Sequence, residues 1–422
     1  MQVCVVGVNH KTTPVAIRGK LAIGASQLQH ALLSLHNYVS QGIILCTCNR
    51  TEVYALAEEG ATVESASINF FNTRANLSQA DLLQYIYVYQ GEAAVKHLFR
   101  VASGLDSMII GEFEILGQVR RALEEAEETG LVGLPLLSLF RHAVRVGRRV
   151  RAETGISRNA LSVSSVAVDL AAQVVGDIGH CKIVVIGAGE AGQLAAKACR
   201  ERGASQIVVV SRSQEKGAAL ATMLRGIWVP MENLGQELSA CDIVISCSGA
   251  PHTVLKLGLV EKVMSTRPEH PLVIIDIAVP QDVEYQVRQL NNVFLYDIDD
   301  LTRVGESNHK QREDEIQRAM EIVTDEVGRF ISHWQELEVK PVISAMVTKA
   351  EKIRQVQLGL TLKKLPDLSD EERAYLEAMT KAIVQKILHD PIQCLKKSNT
   401  GKREGYTQTI NELFRLDGEE PK

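Results

Sequence analysis

The sequence predicts a multidomain α/β protein in three parts: a ferredoxin-like α+β domain, a doubly wound Rossmann-type α/β domain, and an all-helical C-terminal region. Three observations carry that expectation. Residues 1 to about 90 alternate short apolar runs with amphipathic segments in the order β-α-β-β-α-β. A glycine-rich turn then follows a β-branched run in "KIVVIGAGEAG", and strand–helix alternation continues after it. Beyond residue 300 only long helical patterns remain.

In the first part, "QVCVVGV", "GIILCTC", "TEVYALA" and "YIYVYQ" read as strands, and 26–38 and 63–73 carry helical periodicity. This order predicts a small sheet with helices on one face. Residues 91–178 read as helix almost throughout. In the second part, "CDIVISCSG" and "PLVIIDIAVP" continue a parallel sheet, and in the third Pro341 and Pro366 punctuate the helices. The domain boundaries follow as 1–155, 156–300 and 301–422.

Composition sets limits on function. With 422 residues, 45% hydrophobic and 23% charged, the chain has ample material for several buried cores and for no membrane span. Its start lacks a basic n-region and a signal-length apolar run, which points to the cytoplasm. The eight cysteines have no framework spacing, as expected of small buried residues in a reducing compartment. A net charge of −5 argues against wholesale wrapping of nucleic acid. One basic face stands out: Arg141, Arg145 and Arg148 at i, i+4 and i+7, thickened by Arg149, Arg151 and Arg158. It reads equally as a solvated helix face and as a surface for a polyanion.

Gly187, Gly189 and Gly192, with Ala188, Glu190 and Ala191 between them, form a G-x-G-x-x-G that opens an Ala-rich helix. Such glycines allow a tight turn and close approach of backbone to a pyrophosphate, which the helix N-terminus attracts. At the end of the next strand a carboxylate would select NAD, yet the chain reads Ser211, Arg212, Ser213. These suit a 2′-phosphate, so the expected cofactor is NADPH.

"ILCTCNRTEVY" places two cysteines beside an arginine. A cysteine-bearing domain joined to a nicotinamide domain implies two-step chemistry: a thiolate attacks an activated carboxyl, and hydride reduces the thioester to an aldehyde. On a strand, Cys46 and Cys48 would share a face, and their surroundings must separate them. Cys46 adjoins core-forming residues, whereas Cys48 precedes Asn49 and Arg50 at a polar end where a thiolate can be stabilised. No second cysteine pair or nearby histidine at ligand spacing supports a metal site.

The chain resembles the glutamyl-tRNA reductase family over nearly its whole length, through "GVNHKTTPV", "TCNRTEVY", "HLFRVASGLDSMIIGE", "ILGQV", "RVGRRVRAETGI", "GAGEAG", "IDIAVP" and "LYDIDDL". The resemblance implies reduction of glutamyl-tRNA to glutamate-1-semialdehyde in tetrapyrrole biosynthesis. It implies Cys48 as nucleophile and His97 as a catalytic histidine. Thr47, Asn49, Arg50, Ser107, Glu112, Phe113, Glu114 and Gln118 fall in its substrate pocket, where Arg50 offers a fork for a glutamate carboxylate. It also implies a long spinal helix leading to a C-terminal dimerisation domain, with the glutamate-1-semialdehyde aminotransferase as a further partner.

The chain departs from the family pattern where "EPQ" becomes "EFE", at Phe113 and Glu114, where Cys46 replaces serine, and where Ala16 and Gly19 replace acidic residues. A second carboxylate at 114 is expected to repel an anionic glutamyl group. In the C-terminal part, Ser369 and Glu372 form a capping box, followed by an apolar stripe of Leu376, Met379, Ile383, Val384, Ile387 and Leu388. Too few elements follow to cover that stripe, which predicts a homodimer. Two other readings compete: an NADP-binding scaffold without catalysis, and a reductase for a different acyl carrier.

Overall fold

The computed structural model describes residues 2–57, 63–75, 78–157, 163–301, 313–397 and 400–416. The chain packs into two units, Met1–Val327 and Gly328–Lys422.

The first unit begins with a four-stranded antiparallel sheet of β1 (Gln2–Asn9), β2 (Gly42–Cys46), β3 (Arg50–Ala57) and β4 (Tyr87–Gln90), in the order β2-β3-β1-β4. That is the ferredoxin-like arrangement. Helices α1 (Val15–Leu21), α2 (Ala25–Leu35), α3 (Val63–Ala75) and α4 (Gln79–Leu83) connect the strands. One face of the sheet buries Val6, Val8, Ile44 and Val53 against Leu35, Phe70 and Phe71. The opposite face is covered as well. Helices α5 (Glu92–Ala102), α6 (Glu114–Thr129) and α7 (Leu134–Glu153) bury their apolar stripes there, and Tyr54 of β3 meets Phe140 of α7 edge to face at 5.1 Å. The sheet is thus sandwiched, because three amphipathic helices need a surface and the outer sheet face provides it. Strand β2 also stops at Cys46, two residues before the apolar run suggests.

The second part of this unit is a six-stranded parallel sheet of β5 (Lys182–Ile186), β6 (Gln206–Ser211), β7 (Ile227–Pro230), β8 (Ile243–Ser246), β9 (Leu272–Asp276) and β10 (Val293–Asp297). Its order, β10-β9-β8-β5-β6-β7, is that of a doubly wound dinucleotide fold with the switch point between β5 and β8. Helices α8 (Val163–Val175), α9 (Glu190–Glu201), α10 (Gln214–Met223), α11 (Leu234–Ser239) and α12 (Leu257–Ser265) belong to it. Both sheet faces are covered, so all five residues of β9 are buried and the strands read as unbroken apolar runs.

Helix α13 (Glu313–Lys364) is 52 residues long and continues from the first unit into the second. Pro341 lies inside it and does not end it, contrary to the break its sequence position suggests. A proline in a helix removes one N–H and crowds the preceding turn, a local cost that the rest of so long a helix outweighs. Pro366 does fall in the turn before α14 (Asp370–Lys397), which is followed by α15 (Thr400–Phe414). Helix α14 opens on the capping box: Glu372 N–H donates to Ser369 Oγ at 3.3 Å, and Ser369 N–H donates to the Glu372 carboxylate at 2.9 Å. Along it, Met379, Ile383 and Ile387 are exposed while Leu388 is buried.

Candidate active site

Cys48 sits in the tight turn between β2 and β3. Thr47 shapes that turn: its hydroxyl accepts from the N–H groups of Asn49 and Arg50, and its own N–H donates to Arg50 O at 2.8 Å. Asn49 is buried, accepts at its carbonyl from His10 N–H, and keeps a buried side-chain oxygen without a protein partner. Because the strand ends at Cys46, the two cysteines do not share a strand face. Cys46 packs against the sheet core and accepts at Sγ from Ile23 N–H at 3.2 Å. Cys48 borders instead a small cluster of Val15 and Met108 with Ile298 from the parallel-sheet part, which Val163 and Val279 border as well. The thiol therefore lies where the two parts of the first unit meet.

Its electrostatics differ from the sequence expectation. Burial pushes the Cys48 thiol up to about 12, Glu112 and Glu114 push the same way, and Arg18 opposes them. Arg50 is not the stabilising cation. Its guanidinium donates to Glu52 at 2.6 Å and to the side chain and carbonyl of Asp106, so its fork is filled by the protein's own groups.

Glu52, absent from the sequence-based site, is the centre of this arrangement. It is fully buried and accepts from Arg50, from Tyr54 Oη at 2.6 Å and from Tyr87 Oη, and it pairs with His97 Nε2 at 2.9 Å. Burial alone would raise its pKa, but Arg50, His97 and Tyr54 outweigh that and hold the carboxyl well below the usual range. His97, on α5, is buried and lies against the rings of Tyr87 and Tyr89. Among the described residues no hydrogen bond joins His97 to Cys48. The period-2 run Arg50, Glu52, Tyr54 in "RTEVY" was the available signal, since it puts three hydrogen-bonding side chains on one strand face.

A second segment flanks the thiol. Ser107 and Glu112 are buried, and burial raises the Glu112 pKa while Ser107, Arg50 and Arg151 act in the opposite sense. Gly111, at φ 83°, permits this turn: a Cβ there would collide with the carbonyl of Ile156. Glu114 and half-buried Gln118, four residues apart on α6, share a helix face. Phe113, between the two acidic residues, is 60% exposed. Arg151 donates to the carbonyls of Glu112 and Phe113. Of the other arginines of α7, Arg141 pairs with Glu127, Arg149 with Glu153, Asp325 and Glu326, and Arg145 lies 2.8 Å from the Nδ1 of His142. Arg148 is exposed, and Arg158 lies outside the described residues.

At the switch point, Gly187 has φ 105°, and a Cβ on it would come 2.8 Å from Cys247 O. The tight approach between the ends of β5 and β8 therefore requires glycine. Gly189 caps α9 and has open space where a Cβ would be, the room a pyrophosphate needs at a helix N-terminus; Ala188 precedes it, and Glu190, Ala191 and Gly192 form the first turn of α9. Ser211 ends β6 and is partly committed: its Oγ donates to Ser213 O and accepts from Trp228 Nε1. Ser213 caps α10, and Arg212 is exposed between them. Loop 276–283 bounds the same end of the sheet. Asp276 accepts from the N–H groups of Ala278, Asp282 and Val283, while Asp282 accepts from Ser246, Ser248 and the Ser248 N–H.

A parallel dehydrogenase-type sheet whose ligand end meets an α+β domain defines a class, an oxidoreductase with a nucleotide-binding domain. Residues 6–154 match the family "Glutamyl-tRNAGlu reductase, N-terminal domain", 169–304 match "Shikimate / quinate 5-dehydrogenase", and 318–416 match "Glutamyl-tRNAGlu reductase, dimerisation domain". The chain is 42% identical to the glutamyl-tRNA reductase of Carboxydothermus hydrogenoformans over 427 residues, covering 100% of this chain and 95% of the relative. It is 40% identical to that of Pelobacter propionicus over 419 residues, covering 99% and 96%. The solved glutamyl-tRNA reductase of Methanopyrus kandleri is similar over 99% of both chains, with 29% identity and a TM-score of 0.53. The chain belongs to the glutamyl-tRNA reductase family.

Proposed function

We propose that the protein reduces glutamyl-tRNA to glutamate-1-semialdehyde with NADPH, through a thioester on Cys48, in tetrapyrrole biosynthesis in the cytoplasm. One observation carries the reading: Cys48 borders an apolar cluster that joins Val15 and Met108 to Ile298, just past the end of β10, so the thiol lies toward the ligand end of the dinucleotide-type sheet. The family membership supplies the substrate.

With its pKa near 12 the thiol is protonated at rest. Attack on the glutamyl ester requires its proton to leave as the S–C bond forms. Glu112, whose charge acts on the thiol and whose own pKa is raised by burial, is the carboxylate we assign to take it. The C–O bond to the tRNA then breaks, and Glu112 passes the thiol's proton to the departing ribose oxygen, which leaves as the hydroxyl. Asn49, Ser107 and Gln118 hold the glutamyl group, and Thr47 holds the turn. A bound nicotinamide supplies the hydride that reduces the acyl carbon. His97, oriented by Glu52, exchanges the proton as the thiohemiacetal forms or collapses, and collapse returns the Cys48 sulfur. The exposed stripe on α14 supports a homodimer through the C-terminal helices, and the aldehyde's instability favours transfer to the aminotransferase that consumes it.

The test is incubation with glutamyl-tRNA and no NADPH, read by mass spectrometry. A glutamyl adduct on Cys48, absent from Cys48→Ser and retained in Cys46→Ser, is expected. No adduct on the unmutated protein favours a scaffold, and an adduct formed equally well from another glutamyl carrier favours a different acyl donor.

A further inference from the structure

Phe113 has no folding role that explains it. It occupies the N-cap position of α6, where Ser, Thr, Asp or Asn would satisfy a free N–H, and it makes no side-chain cap. It belongs to no core, being 60% exposed. Yet it is held in place. Arg151 donates through both terminal nitrogens to the carbonyls of residues 112 and 113, at 2.9 and 3.0 Å, and its Cζ lies 5.4 Å from the Phe113 ring centroid. One ring face is thereby braced by a cation and the remaining surface is open. Its position relative to the thiol follows from its own loop: Met108 belongs to the apolar cluster that Cys48 borders, the turn closed by Glu112 N–H on Ile109 O leads from there to Phe113, and the charges of Glu112 and Glu114 on either side act on the thiol. A fixed, exposed aromatic ring thus stands on the rim of the Cys48 site.

We propose that Phe113, braced by Arg151, is a stacking platform for the 3′-terminal nucleobase of the acylated tRNA. This rests on the substrate reading above. An ester bond placed at the Cys48 thiol puts the terminal nucleoside one sugar away from the reacting carbon, at the rim where Phe113 stands. Every base has a π-face, so an open aromatic ring recognises it without sequence-specific hydrogen bonds. The Arg151 charge behind the ring adds attraction for a strand that carries phosphates. Arg151 acts here through Phe113 and is a positioning residue.

The experiment uses the full-length protein, NADPH and glutamyl-tRNA whose terminal adenine is replaced by 2-aminopurine. Binding to the unmutated protein should quench the probe through stacking, Phe113→Ala should abolish the quench, and Phe113→Trp should restore it. With ordinary glutamyl-tRNA, Phe113→Ala should raise KM roughly 5- to 150-fold, the range set by loss of one base stack, with the effect in KM rather than kcat. Unchanged KM and an unchanged quench in Phe113→Ala, with aldehyde still produced, overturn the platform and leave the substrate reading intact. Failure of the unmutated protein to make aldehyde from glutamyl-tRNA and NADPH overturns both.

Discussion

Arg18 of α1 and Asp299, just beyond β10, meet at 2.8 Å and tie the cysteine-bearing domain to the parallel-sheet domain. The bond is reinforced beside it. Val15 N–H donates to the same carboxylate, and Gly19 lies against Pro280 so closely that a Cβ would come 3.2 Å from it. An acidic side chain at position 19 would push this contact apart, which gives the glycine a structural reason. Asp299 is 36% exposed, so the pair is partly screened, but Arg18 is 2% exposed and loses its charged partner if Asp299 is removed, keeping its bond to the Thr13 carbonyl. Asp299→Ala should cost about 1–2 kcal/mol at this junction. The expected result is slower reduction with the Cys48 adduct still forming; equal loss of both steps would mean that the pair serves folding alone.

Glu114 adds negative charge to the surroundings of the Cys48 thiol. Glu114→Gln should lower the thiol pKa, so alkylation by iodoacetamide at pH 8 should be several-fold faster than in the unmutated protein. The same change should lower KM for glutamyl-tRNA by removing repulsion of the glutamyl carboxylate. An unchanged alkylation rate with intact fold would show that Glu114 does not control the thiol.

The buried carboxylates Asp276 and Asp282 make a pH prediction. Burial, and then the charge of Asp282, raise Asp276 from an ordinary 3.8 to about 7 despite three backbone donors. A group whose folded pKa lies above its unfolded value contributes stability that is full below the unfolded pKa and is lost as pH rises through the folded one. Thermal stability should therefore fall as pH rises from about 4 to about 7 and level off above that. Asp282→Asn removes the facing charge, and a serine hydroxyl at 246 or 248 can turn to accept from the new amide. This variant should show a flatter profile, and a profile as steep as that of the unmutated protein would place the pH dependence elsewhere.

Much of this was legible in the sequence because the local signals agreed. The alternation in "QVCVVGV" and "TEVYALA", the glycines of "GAGEAG" and the Ser369–Glu372 cap each name one backbone solution. The site was less legible where burial decides. Arg50 reads as a free cation from its neighbours in sequence, and only the packing of α5–α7 on the outer sheet face shows that Glu52 and Asp106 claim it. Cys48 reads as a strand residue at a polar end, and only the turn built by Thr47 shows it leaving the strand for an apolar junction. Pro341 shows the reverse: a strong local breaker overruled by a helix that is favourable on both sides of it.

The exposed stripe of α14 allows a direct test of assembly. Ile383 and Ile387 are 48% and 64% exposed, and one helical turn apart they share a face. Burying an aspartate in an apolar interface is costly, so Ile383→Asp combined with Ile387→Asp should convert a sedimenting dimer to a monomer of unchanged helicity. A dimer that persists at micromolar concentration would put the interface on another surface.

In the proposed NADPH-dependent reaction, Arg212 is the residue assigned to the cofactor preference. Ser211 already donates its hydroxyl proton to Ser213 O and accepts from Trp228, and Ser213 accepts from Lys216 N–H as the cap of α10, which leaves its own proton for a ligand. Arg212, exposed between them, has the charge and the fork that a 2′-phosphate requires. Arg212→Ala should therefore reduce the NADPH-over-NADH ratio of kcat/KM by about 1.5–3 kcal/mol, roughly 10- to 150-fold, mainly through NADPH. Ser211→Ala should weaken both cofactors alike, since it disturbs the strand end rather than the phosphate. Equal kcat/KM for NADPH and NADH in the unmutated protein would remove the 2′-phosphate from the assignment and leave the dinucleotide fold without a preference.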